Sequence, residues 1–270
     1  MERQEQRSMD YDRELKVGLC RLEGIVQPFP SHFHSCYVVG ILRGGRRSLR
    51  CRNGQGEVGP GDTVLFAPGE SHSCAPVGQE PLDYWSVHIS AERMEALTGG
   101  GTLAFAAPFA RSLALYRSVE ELCRALWEGA PIARREEALA ALVRQLGRRA
   151  APDSRPAADP EVEDLCRYIE EHCAEPLRLS DLLSRSRRGR TALREAFLRQ
   201  VGLPPYRYLQ AVRLDRAKGL LEQGIAPAEA AGQAGFYDQS HLSGFFKECI
   251  GVTPARYERT FQRKRRETEP

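Results

Sequence analysis

Gly235-Phe236-Tyr237-Asp238-Gln239-Ser240-His241-Leu242-Ser243-Gly244-Phe245-Phe246-Lys247 has an echo 49 residues upstream. Phe246, Gly251, Pro254 and Tyr257 follow one another at steps of five, three and three, and Phe197, Gly202, Pro205 and Tyr208 repeat those steps. Leu242 and Phe245 match Leu193 and Ala196. Such self-similarity marks one supersecondary unit used twice. Each copy reads as a short helix, a tight turn, a second helix and a Gly/Pro stop, the grammar of helix-turn-helix. Two such units in one small domain suit the reading of two neighbouring segments of DNA major groove.

The helical period sorts the residues of each second helix. In the first copy Leu193, Ala196 and Phe197 form the buried face, leaving Arg190, Thr191, Arg194 and Glu195 outward. In the second copy Leu242, Phe245 and Phe246 face in, while Gln239, Ser240, His241, Ser243 and Gly244 face out. An Arg can fork onto guanine O6 and N7, and a Gln can pair with adenine. Arg can equally sit on phosphate, which positions without reading sequence. Pro205 opens a helix that runs to Leu221. Seventeen residues at ~1.5 Å each span about 25 Å, enough to hold two reading helices one DNA turn apart.

These residues carry a family resemblance. Gly235-Phe236, Asp238 to Ser243, Phe246-Lys247 and Gly251-Val252-Thr253-Pro254 with Tyr257 resemble the C-terminal signature of AraC/XylS-type bacterial transcription regulators. Arg213-Leu214, Arg216-Ala217 and Leu220-Leu221 resemble that family's linker helix. The resemblance covers about residues 160–262. It implies a DNA-binding regulator with a double-stranded operator and RNA polymerase as partners, an effector-sensing domain, a homodimer, and activation as the commoner behaviour. The outward residues named above map onto the family's DNA-facing positions. Position 244, often Arg in relatives, is Gly here. Arg187 and Arg188 replace the usual Gly and apolar turn residues of the first copy, so that turn is expected to be irregular, with Gly189 as its flexible point.

Charge agrees with this division. Residues 161–270 hold 19 Lys/Arg and 16 Asp/Glu, which accounts for the whole net charge of +3, and residues 1–160 are neutral. Arg185, Arg187, Arg188, Arg190, Arg194 and Arg199 cluster on the first copy against one acid, Glu195, an electrostatic footprint of phosphate contact. Eight cysteines without a CxxC pair, a charged start and no long apolar run predict a cytoplasmic protein with reduced thiols and no membrane span.

The expected organisation is α+β and multidomain: a sensing and dimerising domain over 1–150, a Pro/Ala/Asp-rich linker over 151–160, and the all-helical double helix-turn-helix domain over 161–270. Residues 12–90 read as β structure. Tyr37 to Leu42 and Thr63 to Phe66 are strand-like, and turns fall at Arg43–Arg46, Asn53–Gly56 and Gly59–Asp62. Short strands parted by Gly-rich turns predict a small barrel or jelly roll. Two helical stripes follow, Leu115/Val119/Leu122/Leu126 and Leu139/Leu142/Val143/Leu146, parted by Pro131. Either covers its own domain or forms a dimer seam, and the resemblance favours a dimer.

His32 and His34, then Pro60-Gly61-Asp62, Pro68-Gly69 and His72, resemble the two cupin motifs, although the usual cupin Glu falls on Val38 or Val39. On one strand face His32, His34 and Cys36 would stand together, with His72 and Cys74 on another. An organic effector pocket from His32, His34, Tyr37, His72 and Trp85, with Tyr84 nearby, is the default reading. A metal- or thiol-responsive site with a divalent ion on His32, His34, Cys36 and His72 is the alternative. A cupin metalloenzyme is a third reading, weakened by the missing Glu and the attached DNA reader; no catalytic residues and no certain cofactor are assigned.

Overall fold

The computed structural model describes residues 5–52, 54–152 and 159–262. Asn53 and most of the expected linker, residues 153–158, lie outside that range. The chain divides into two compact units, Met1–Phe29 with His34–Ser154, and Arg155–Pro270 with Pro30–Phe33.

The first unit is sheet-rich. In chain order the strands are β1 (Gln6–Asp12), β2 (Val17–Ile25), β3 (Phe29–His32, mostly the Pro30–Phe33 segment), β4 (Cys36–Gly44), β5 (Arg47–Cys51), β6 (Gly54–Val58), β7 (Thr63–Phe66), β8 (His72–Pro76) and β9 (Leu82–Ser90). Helix α1 (Ala91–Thr98), two short strands β10 (Ala104–Phe105) and β11 (Phe109–Ala110), helices α2 (Leu113–Trp127) and α3 (Ile132–Gly147), and β12 (Ala150–Ala151) follow. One sheet has the order β1-β2-β9-β4-β7-β11 and another β3-β8-β5-β6; β10 pairs with β12. Gly45, at φ +75, turns β4 into β5, where a Cβ would lie 2.4 Å from the Pro81 carbonyl oxygen.

Period-2 alternation gives the large sheet two apolar faces. On one, Leu19, Val87, Val39 and Leu65 meet the buried stripes of α2 and α3 in a single core cluster. On the other, Cys20, Leu22, Val38, Leu42, Val64 and Phe66 pack with Leu49 and Val58 of the smaller sheet. Both helical stripes are therefore consumed by their own unit, Leu115, Leu122, Leu142 and Leu146 being fully buried. Neither is available as the dimer seam that the sequence left open.

The second unit is helical: α4 (Pro160–His172), α5 (Leu179–Arg185), α6 (Arg190–Gln200), α7 (Pro205–Glu222), α8 (Pro227–Gln233), α9 (Gln239–Ile250) and α10 (Pro254–Gln262). Pro sits at the first turn of α4, α7 and α8, where its missing N–H costs no hydrogen bond. The sequence repeat is a structural repeat. Gly202 and Gly251 both take positive φ, +79 and +88, where α6 and α9 end. Phe197 meets Tyr208 edge-on at 6.2 Å, and Phe246 meets Tyr257 edge-on at 5.2 Å. The Tyr208 hydroxyl donates to Glu170 near the end of α4, and the Tyr257 hydroxyl donates to Glu222 at the end of α7. Each helix-turn-helix is thus closed by the helix after it, through a tyrosine tied to the helix before it. Helix α7 closes the first copy and underlies the second.

Candidate functional site

The DNA-facing candidates lie where the helical period put them. Arg190, Thr191, Arg194 and Glu195 are exposed on α6, above a face formed by Leu193, Ala196 and Phe197. Gln239, Ser240 and His241 are exposed on α9, and Ser243 is half-buried, above Leu242, Phe245 and Phe246. Asp238 caps α9 by accepting from the His241 amide at 2.7 Å, and the His241 ring stands edge-on to buried Phe236 at 5.2 Å. Tyr237, between Phe236 and the cap, is 92% exposed.

The turns differ from expectation. Gly189 is the N-cap of α6 at φ −70 and ψ 166, an extended backbone open to most residues, so its glycine freedom is not used. The glycine that is needed is Gly235 in the second turn, at φ +84, where a Cβ would come within 2.4 Å of the Cys173 carbonyl oxygen. The arginine cluster is also divided. Arg185 lies over the Tyr168 ring at 3.8 Å, and Arg188 donates to Asp159 at 2.6 Å, with Glu161 3.6 Å away. These two are engaged with the protein; Arg187, Arg190, Arg194 and Arg199 remain on the exposed surface.

In the first unit the inner face of the large sheet carries polar groups among apolar ones. The His34 ring lies 5.2 Å from that of His72 and 5.8 Å from that of His88. His72 stacks on Phe66 at 3.8 Å. Its Nδ1 lies 3.0 Å from the Glu70 carbonyl oxygen, which can only accept, so Nδ1 carries a proton and donates there. His88 Nε2 lies 3.1 Å from Ser86 Oγ. Tyr84 crosses the same face above Gly40, where any Cβ would come within 2.0 Å of its hydroxyl oxygen. Burial raises the Tyr84 phenol and the Cys51 thiol, and pushes the Cys74 thiol up to about 11, so these groups stay protonated. All eight cysteines are free.

Of the expected pocket residues, Tyr37 and Trp85 fall elsewhere. His32 ends β3 and Cys36 begins β4, so His32, His34 and Cys36 do not share one strand face. His32 is buried, its Nδ1 2.7 Å from the Pro30 carbonyl oxygen, and burial lowers it to about 4. Tyr37 and Trp85 lie on the opposite face of the sheet, in the cluster with α2 and α3. The Tyr37 hydroxyl accepts from the Leu103 amide at 2.8 Å, and Trp85 stands edge-on to Trp127 at 4.9 Å with Arg43 over its ring at 3.7 Å. The residues missed were Ser86 and His88. Strand alternation was the available signal: Tyr84 and Trp85 are adjacent and must face opposite ways.

A sheet-rich unit with a polar inner face, joined in one chain to a duplicated helix-turn-helix, defines a two-unit DNA-binding regulator with a ligand-binding type of domain. The helix-turn-helix domain family matches residues 182–260, and the AraC-like ligand binding domain family matches residues 16–153. The chain belongs to the AraC family of transcription regulators. It is similar to YbfI, an HTH-type transcriptional regulator of Bacillus subtilis, at 35% identity over 251 residues, covering 88% of this chain and 90% of that one. It is similar to the arabinose operon regulatory protein of Salmonella typhimurium at 27% over 236 residues, covering 81% and 79%. The fold resembles that of ToxT from Vibrio cholerae, with a TM-score of 0.56 at 14% identity over 93% of this chain and 99% of that one. These relatives lend no support to a metal-responsive reading of His32, His34, Cys36 and His72.

Proposed function

We propose that this regulator is an effector-responsive activator in which α6 and α9 read successive segments of one operator. The observation that carries this is the repeat of Phe197/Tyr208 and Phe246/Tyr257, which presents two exposed helix faces on one scaffold. Residues 1–150 act as the sensing domain, 151–160 as the linker and 161–270 as the reader. A small organic molecule on the inner sheet face, near His34, His72 and His88, shifts the regulator between two states by binding one of them better. Activation proceeds through RNA polymerase, and the working form is a homodimer in the cytoplasm. Leu113 and Ile132 at the starts of α2 and α3 are exposed apolar side chains that suit such an interface. Among the described residues no helix is long and apolar enough to cross a membrane. The relatives are regulators, which favours a chain with no catalytic role.

The test is selection of duplexes from a random DNA library by the full chain, followed by footprinting. The expected result is two short protected segments one helical turn apart, with Arg194→Ala and Gln239→Ala each relaxing a different one. A single protected segment, relaxed by one substitution only, would leave one copy undocked and defeat the double-reading model.

A further inference from the structure

Helix α4 touches both helix-turn-helix turns. At its start Asp159 and Glu161 close on the first turn. Asp159 accepts from Arg188 at 2.6 Å. Glu161 accepts from the Ser186 hydroxyl and from the Arg187 amide, the latter at 2.9 Å. Ser186 in turn accepts from the Arg188 amide at 3.0 Å, so the turn is folded around these two carboxylates. The Asp159 amide donates to Gln200 Oε1 at 2.7 Å, and Gln200 is the last residue of α6. Both ends of the first reading helix are therefore fastened to the first residues of α4. At the other end of α4, the Cys173 carbonyl accepts from buried Arg213 of α7 at 2.7 Å, and Gly235 of the second turn packs against that same carbonyl.

The chemistry of the clamp is consistent with its geometry. The Arg188 hydrogen bond holds the Asp159 carboxyl below its ordinary range, and the Ser186 hydrogen bond does so for Glu161. The second turn has no carboxylate–arginine clamp among the described residues: Asp238 accepts from the His241 amide, and Arg216 of α7 donates to the Gln233 carbonyl at 2.9 Å. In the repeat, Arg188 stands where Tyr237 stands in the second copy, and Tyr237 is exposed while Arg188 is turned back onto α4.

We propose that Asp159, Glu161 and Arg188 are positioning residues for the first reading head: they set the attitude of α6 from the point where the chain enters the reader, and Arg188 serves this clamp rather than the DNA backbone. The inference rests on α6 being a reading helix, as proposed above. An arginine on phosphate and an arginine in a clamp differ in measurable ways. Removing an arginine that sits on phosphate lowers the salt dependence of binding by about one charge, and freeing that arginine from an acid strengthens binding. A clamp does neither: removing the acid or the base weakens binding equally, and removing both is no worse than removing one.

The experiment uses the full chain and duplexes selected from a random library. Arg188→Ala, the isosteric Asp159→Asn and the double variant are compared with wild type by binding titrations over a range of salt, with thermal melts to confirm folding. The expected result is affinity about three- to tenfold weaker for each single variant, no further weakening in the double, an unchanged salt slope, and relaxed base preference confined to the segment read by α6. Should Arg188→Ala fail to fold, Asp159→Asn alone decides by the same weakening and the same confinement. A reduced salt slope for Arg188→Ala together with unchanged or tighter binding by Asp159→Asn would overturn the clamp and make Arg188 a phosphate ligand. Wild-type affinity and preference in Asp159→Asn would overturn it as well. If Arg194→Ala, run in parallel, leaves preference unchanged, the reading assigned to α6 fails instead, and that is a separate result.

Discussion

The two helix-turn-helix copies share a core and differ in how their turns are held. Phe197 and Phe246 sit at equivalent positions, each against a tyrosine from the following helix, and each tyrosine reaches a glutamate on the preceding one. The first turn is fastened from outside by charged groups of α4. The second is held without a carboxylate clamp, by a capping aspartate, by a glycine that lets the backbone approach Cys173, and by Arg216 on the Gln233 carbonyl. Apolar spacing dictates the common core, because a face that must be buried tolerates few substitutes. The turns were free to diverge, since several polar arrangements satisfy the same few backbone groups.

Four measurements put the contrast between the copies at risk. Phe197→Ala and Phe246→Ala are expected to be the most damaging, each costing about 3–5 kcal/mol on urea melts. Similar costs support equivalent cores; a several-fold disparity would mean that one copy carries the unit's stability. Next come the glycines. Gly235→Ala meets both a positive φ and the Cys173 carbonyl, and is expected to cost at least about 1–3 kcal/mol. Gly189→Ala, with nothing within 4 Å of its Cβ, should stay within about 0.5 kcal/mol. Equal costs in thermal melts would erase the distinction between the turns.

Substitutions on the exposed faces follow. Arg194→Ala and Gln239→Ala should each weaken binding to a selected duplex by about 1–3 kcal/mol and leave the melting curve in place. A change in affinity with no change in base preference would demote the residue to a backbone contact. The weakest effect is the one on pH. Asp159 and Glu161 are held below the ordinary carboxylate range in the folded chain. Their contribution is complete above the unfolded values of about 4 and disappears as pH falls through the folded ones. Both keep some contact with solvent, which screens their partners, so the change is small. Acid melts of Asp159→Asn should be slightly flatter below pH 4 than those of wild type, and identical slopes would remove the carboxylate from the account.

The reader was more legible than the sensor. A repeat of apolar residues at helical spacing, bounded by glycine and proline, leaves one way to bury its face, and Arg190, Arg194, Gln239 and His241 lie outward as that spacing requires. The sensor misled for a specific reason. Tyr37 and Trp85 are aromatic and close in sequence to pocket residues, but alternation along β4 and β9 sends them to the helix-covered face. Both faces of that sheet are apolar, so hydrophobicity alone does not say which one is the interior. The stripes on α2 and α3 posed the same ambiguity, since a buried stripe and a dimer seam have the same spacing.

Residue order alone carried the family, the duplicated helix-turn-helix, the inward and outward faces of both reading helices and the sheet-then-helix order, because each follows from local period and from residues with few conformational substitutes. It took the folded chain to settle which sheet face meets α2 and α3, that His88, bonded to Ser86, comes beside His34 and His72, and that Arg188 is turned onto Asp159 and Glu161. Those outcomes depend on partners far apart along the chain, whose meeting is set by strand pairing and helix packing rather than by any local preference.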